Sequence, residues 1–405
     1  MTFNDILKES WLSISGNKLR SFLTVLGIII GVMAVVIMVA VGETVQQSVT
    51  DQFSSLGTNT IVIRAGAARV GGVRTGNRQT LTTDDAETIA TLPDVAAVSP
   101  MQNSGAQVVY GNKNWSTSMI GVYPGYQIVQ NVEIEYGSFI DSDAIKNAAT
   151  YAVIGPDTAS ELGMPANPIG EIIRIQNTPF VVIGVTKAKG DSVMGSADDM
   201  VIIPITTLKK RLAGSRFPNA VQTIVLKLYQ DADNNIATEQ ITAMLRSRHR
   251  LKEADEDDFQ ITDMKQVMET MNTVTGYIKL LLVAIAAVSL LVGSIGIMNM
   301  MLVSVAERTR EIGVRKAIGA REQNIIIQFL SESVLISFIG SMTGLILGEG
   351  LAQGVGRFIL GYNVPLSIWP VIVSVTVAIV VGLASGVFPA IKAAKLNPID
   401  SLRYE

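Results

Sequence analysis

The residues that could do chemistry in this chain are few, and their spacing rules most of them out. Among 405 residues there is one histidine and no cysteine. Disulfides, zinc–thiolate centres and cysteine nucleophiles are therefore excluded, and little is left for a histidine-based metal site or triad. Ser15-Gly16-Asn17-Lys18 has the SxxK spacing of a serine nucleophile with a lysine base. The companion motifs of a serine acyl enzyme are missing, so the match reads as chance. His249, in RSRHRLK at 246–252, falls at the end of an expected helix, where cations suit the negative pole, and reads as a solvated face. The acidic run Glu253–Asp258 lacks the glycine and spacing of a calcium loop and reads as a solvated turn. No GxxxxGK[ST] occurs, so ATP, if used, is bound elsewhere. No nucleophile, base and metal set converges, and no catalytic or metal-binding residue is assigned.

Two acids and one basic segment remain. Glu332 and Glu349 sit in or beside a long apolar run, where ionisable groups are costly and face the helix bundle. One reading is a proton or substrate relay. The other is an interhelical hydrogen bond near each interface, favoured because no Lys or Arg stands inside another span. The basic segment is VAERTREIGVRKAIGAR, 305–321, wedged between two apolar runs. Arg308, Arg310, Arg315, Lys316 and Arg321 outnumber Glu307, Glu311 and the adjoining Glu322. Glu311 and Arg315 stand at i,i+4 in the favourable order for a helix. Such a cluster between two spans marks a cytoplasmic loop, and it reads as a docking element for a cytoplasmic partner.

The elements that position these residues follow from hydropathy. The chain is 48% hydrophobic and 17% charged with a net charge of −3. That balance suits a membrane part plus a folded soluble part, and gives no sign of nucleic-acid binding. Residues 1–20 read as an amphipathic helix on the cytoplasmic face, with Phe3, Ile6, Leu7, Trp11 and Ile14 at helical spacing beside Lys8, Lys18 and Arg20. Four apolar runs, 21–42, 277–303, 325–350 and 368–391, are long enough to cross roughly 30 Å of hydrocarbon. Basic residues at the N-terminus, in 304–324 and in the tail 392–405 place both termini in the cytoplasm, and put 43–276 and the loop 351–367 outside. Tyr362 and Trp369 suit the outer interface. Gly27 and Gly31, Gly340, Gly344 and Gly348, and Gly382 and Gly386 repeat at four-residue intervals. They suit close helix contacts, a dimer interface included. The spans show no row of polar residues that would line a pore.

The segments 43–56 (Val45, Val49, Phe53, Leu56) and 263–276 (Met264, Val267, Met268, Met271, Val274) carry apolar stripes. They read either as a paired stalk or as ordinary juxtamembrane amphipathicity. Between them, 57–104 predicts strand 60–64, helix 83–91 and strand 95–101, with a glycine-rich loop over 64–80. Residues 216–262 repeat the rhythm with strand 222–229, helix 235–248 and strand 259–262. These halves form one porter-like α+β subdomain. Residues 105–215 form an inserted β-rich subdomain, with strands at 106–110, 116–122, 151–154, 172–175, 180–185 and 200–203.

NKLRSFLTVLGIIIGV (17–32), MNMMLVSVAERTREIGVRKAIGAR (298–321) and FPAIKAAKLNPIDSLRYE (388–405) resemble the MacB-like, FtsX-type family of ABC transporter permeases. The resemblance covers all four spans and their flanks. Members of the MacB group carry an N-terminal ATPase domain; this chain reaches its first span almost at once and is similar to the split versions. The resemblance implies a homodimeric permease of a bacterial inner membrane that binds no cofactor itself. ATP and Mg would bind a separate ATPase subunit. An adaptor (membrane fusion) protein would stand outside. ATPase motion would be transmitted across the membrane to drive efflux of a drug, peptide or other small amphiphile. Arg308, Arg310, Glu311, Arg315 and Lys316 would then couple to the ATPase, with Ile312, Gly313, Ile318 and Gly319 shaping the docking surface. Lipoprotein release or control of a cell-wall hydrolase is the alternative within the family. A membrane scaffold or sensor without transport is the alternative outside it.

Overall fold

A computed structural model describes residues 25–40, 42–44, 59–66, 69–70, 73–74, 80–192, 195–196, 198–212, 219–357 and 368–402. The expected helix at 1–20, Ser15 and Lys18, nearly all of the stalk segment 43–56, most of the loop 64–80 and Tyr362 lie outside the described residues. The chain divides into two compact units, Met1–Ser48 with Asn272–Glu405, and Val49–Met271.

Among the described residues four helices are long and apolar enough to cross a membrane. They are Val25–Thr44, Met264–Glu307, Glu322–Val355 and Trp369–Ala394, here the first to fourth spans. The second runs for 44 residues without a break and takes in the expected stalk residues from Met264 onward. The third continues through Leu351–Val355, placed in a loop by sequence. Without an apolar–aqueous difference to drive association in lipid, the spans rely on close backbone approach. A methyl added at Gly27 would stand 3.1 Å from Gly293 Cα, and one at Gly344 would stand 2.8 Å from the Ile29 carbonyl. One at Gly382 would stand 2.7 Å from Val334 Cα. Gly340 and Gly348 face Ile28 and Val36, Gly31 faces Leu290, and Gly386 faces Ser333. All seven glycines thus meet helices of their own chain. Ile28, Val32, Val36, Ile297, Met301, Phe329, Ile336 and Ala390 fill the bundle core.

The second unit is built on one ten-stranded sheet. Its strands are β1 Thr60–Ala65, β2 Val95–Tyr110, β3 Lys113–Val122, β4 Ile134–Gly137, β5 Tyr151–Ile154, β6 Ile172–Ile175, β7 Thr178–Thr186, β8 Met200–Pro204, β9 Thr223–Leu228 and β10 Phe259–Asp263. The order is β10-β1-β9-β2-β3-β8-β5-β7-β4, with β6 against β2 and β7. The segment β10-β1-β9-β2 is antiparallel throughout. With helices Thr83–Ile89 and Asn234–Arg248 it makes a split βαββαβ unit. Alternation along β1 decides its faces. Ile61 and Ile63 enter the core beneath the two helices, and Val62 enters the core on the opposite side.

Two local expectations change. The strands expected at 95–101 and 106–110 are one 16-residue strand, β2, because β3 pairs with it from Met101 to Tyr110. The turn at Gly111, with φ +57, closes that hairpin. The inserted region also carries helices Tyr126–Val129, Ser142–Lys146 and Pro156–Glu161 and the strand β4. These are four to six residues long, too short for a helical period to show.

Candidate functional site

The segment after the second span forms a nine-residue helix, Thr309–Ala317. Its end is a Schellman turn: Gly319, at φ +100, donates to the Lys316 carbonyl at 3.1 Å, and Ala320 donates to the Arg315 carbonyl at 3.0 Å. That turn needs a residue tolerant of positive φ, which the glycine supplies. Ile312, 4% exposed, faces inward with Val305, Ile325, Phe329 and Ala393. Gly313 lies against the tail helix Pro398–Leu402, where a methyl would stand 2.6 Å from Ser401 Cβ.

Three of the cations expected to meet a partner turn toward the chain itself. Arg308 Nη1 donates to Glu332 Oε1 at 3.2 Å, and the Glu332 side chain is 3% exposed. Arg315 Nη1 donates to Gln328 Oε1 at 2.7 Å, and its Nη2 donates to Glu311 Oε1 at 2.6 Å. Lys316 Nζ donates to the carbonyls of Ala394 at 2.6 Å and Leu396 at 2.9 Å, capping the C-terminal end of the fourth span. Lys316 also stands 3.5 Å from Glu322. The exposed residues are Arg310, Glu311, Val314, Ala317, Ile318, Gly319 and Arg321. Val314 is 45% exposed and Ile318 82%. They stand at i,i+4 on one outward side.

Glu332 therefore has a cationic partner, and that partner belongs to the loop, outside any other span. Glu349 meets Gln353 Nε2 of its own helix at 3.5 Å. A polar row also exists: Ser333, Ser337 and Ser341 lie at four-residue spacing on the third span, each no more than 1% exposed. Ser333 lies against Gly386 and Ser337 beside Gly382, so that part of the row lies in a close-packed helix contact. Gln328 and Ser401, both part of the arrangement, carry no motif. The i,i+4 spacing of Gln328 and Glu332 at the start of the span was the one available signal.

The second unit holds another charged cluster. His249 Nδ1 is 2.7 Å from Asp258 Oδ1, and Nε2 is 3.3 Å from Asp85 Oδ2. Arg248 Nε donates to Asp85 Oδ1 at 2.6 Å. Asp85 and Thr82 form a reciprocal capping box at the start of Thr83–Ile89. The hydrogen bond to Asp85 outweighs burial and, with Asp258, raises the His249 pKa to about 9. Burial pushes Asp85 up, but hydrogen bonds from His249, Arg248 and Thr82 outweigh it and hold the carboxyl well below the usual range. His249 is thus a half-buried charged partner, where a solvated face was expected. The acidic turn is partly paired as well, through Asp258 and through an ion pair of Asp257 with Arg246.

Two family profiles match the chain, one described as the MacB-like periplasmic core domain over residues 21–244 and one as the FtsX-like permease C-terminal region over 283–398. The macrolide export ATP-binding/permease protein MacB of Bdellovibrio bacteriovorus is 40% identical over 403 residues, covering 98% of this chain and 61% of that protein. The protein of the same name from Chlorobium luteolum is 39% identical over 413 residues, covering 100% of this chain and 60% of that protein. The chain thus spans about three fifths of the length of these relatives. The solved periplasmic region of MacB from Actinobacillus actinomycetemcomitans is 22% identical, with a TM-score of 0.46, over 55% of this chain and 97% of that one. Four apolar helices and a sheet-based domain between the first two, with these two profiles on them, make this chain a member of the MacB-like, FtsX-type permease family.

Proposed function

We propose that the chain is the permease subunit of an ATP-driven ABC exporter in the cytoplasmic membrane of a bacterium, with both termini and residues 305–321 in the cytoplasm. ATP and Mg bind an ATPase outside these 405 residues, and that ATPase docks on the outward side of helix Thr309–Ala317. The contact residues are Arg310, Val314, Ile318 and Gly319, with Glu311 and Arg321 at the edge. The observation that carries this reading is Ile318, 82% exposed, at the C-cap one turn beyond Val314 of a helix whose other side is held by the spans. An aliphatic pair facing water beside two arginines gains by burial against a partner with an apolar groove and an acidic rim.

Two copies act together, and motion of the ATPases passes through the spans to the extracytoplasmic unit. There an adaptor protein meets the sheet domain. The relatives are named for macrolide export, and a drug, peptide or other small amphiphile is the corresponding cargo here. Purification of the tagged chain in mild detergent from its own membranes tests the reading. A stoichiometric ATPase, identified by mass spectrometry and active in the eluate, is the expected result. A clean chain without ATPase, from membranes that contain MacB-type ATPases, would favour a scaffold or sensor.

A further inference from the structure

From the polar contacts beneath helix Thr309–Ala317 we infer that Arg308, Arg315 and Lys316 are positioning residues. They lock the docking helix to the third and fourth spans so that the three elements move as one. This rests on the reading of that helix as the ATPase docking site. Arg308 and Arg315 lie seven residues apart, two helical turns, and so project from one side of the segment. Their partners Glu332 and Gln328 lie four residues apart, one turn, on one side of the third span. The two contacts are rungs between the same two elements. Both acceptors, Gln328 and Glu332, are buried. A carboxylate at that depth is strongly disfavoured without its cation. The Arg308 rung therefore resists separation more than an exposed pair does. Lys316 adds a contact to a different element, the last carbonyl of the fourth span at Ala394 and that of Leu396 just beyond it, with its side chain 13% exposed. Gly313 on Ser401 closes the side toward the tail helix.

The outward residues and the inward cations thus divide the work. A push delivered at Val314 and Ile318 reaches two spans through three charged contacts. A helix held by apolar packing alone can slide, because dispersion contacts are non-directional. One held by charged hydrogen bonds to fixed acceptors has a defined register.

The test uses the full chain with its copurifying ATPase, in nanodiscs. The chain has no cysteine, so spin labels can be placed at Leu281 and Ile346, outer positions of the second and third spans that are 60% and 67% exposed. Mg-ATP with vanadate is expected to shift the distance between the labels in the native chain. Arg308→Met should abolish most of the shift while ATPase yield and hydrolysis stay within about twofold, and the exchange Arg308→Glu with Glu332→Arg should restore it. An undiminished shift in Arg308→Met would overturn the inference. So would a simultaneous loss of ATPase from that variant, since the residue would then serve docking or folding alone. Absence of an ATPase from the native preparation would instead defeat the functional reading beneath it.

Discussion

Two buried carboxylates, Asp85 in the sheet domain and Glu332 in the bundle, differ in what lies beyond them. In the sheet domain Asp85 is 3% exposed and meets Arg248 and His249; in the bundle Glu332 is 3% exposed and meets Arg308. Each acid holds separate elements together with the same chemistry. Around Asp85 the elements are the start of one helix, the end of another and the turn at Asp258, all part of the βαββαβ core or its edge. Around Arg308 one element is a span, and the other is a short helix whose far side presents Val314 and Ile318. The first cluster ends in the fold, and the second leads to a surface suited to a partner. A buried ion pair alone does not separate these cases; the surface carried by the cation's own element does.

Removing Asp85 gives the largest expected effect. Asp85→Ala leaves two cations and a helix start without their acceptor, and should cost about 3–5 kcal/mol, read as a fall in thermal midpoint of the purified chain. A midpoint close to the native one would mean that the sheet domain does not depend on its cluster. Gly386→Val should cost about 1–3 kcal/mol by overpacking, because even a methyl there would lie within 2.9 Å of Ser333 Cβ. Stability kept in that variant would show that the third and fourth spans can separate, and would weaken the idea that they are driven together. Lys316→Met should cost about 1 kcal/mol, with Lys316→Arg milder; equal effects of the two would deny the carbonyl cap.

A pH series separates the clusters further. The folded state raises His249 from 6.5 to about 9, so it favours the protonated ring. The stabilisation is therefore complete below about pH 6.5 and is lost as pH rises through about 9. Native protein should lose thermal stability across that window, and His249→Gln should lose much less. Parallel curves would remove His249 from the cluster's energetics. Asp85 has the opposite sign: its contribution is present above 3.8 and is lost only as pH falls through its lower folded value.

Much of this architecture was legible because period and length are local properties. Four long apolar runs, the β-branched run at 60–63 and a basic segment between spans need only neighbouring residues to be recognised. The contacts that decide the docking helix are not local. Lys316 reaches carbonyls 78 and 80 residues away, and nothing in VRKAIG distinguishes an inward lysine from an outward one. Among the described residues no Lys or Arg stands at the depth of Glu332 within another span, and a long arginine reaches it from a loop 24 residues earlier. His249 looked solvated because cations at a helix end usually are, and only the fold brings Asp85 to it across 164 residues. The glycine repeats showed that helices approach closely but not which ones.

The outward side of Thr309–Ala317 is where the central claim is most exposed to test. Ile318→Asp should change stability by no more than about 0.5 kcal/mol, as expected for a surface position. In parallel purifications from the same membranes, the variant should fold and remain monodisperse like the native chain but recover far less ATPase. Equal recovery of ATPase with both chains would contradict the assignment of this side as the docking surface.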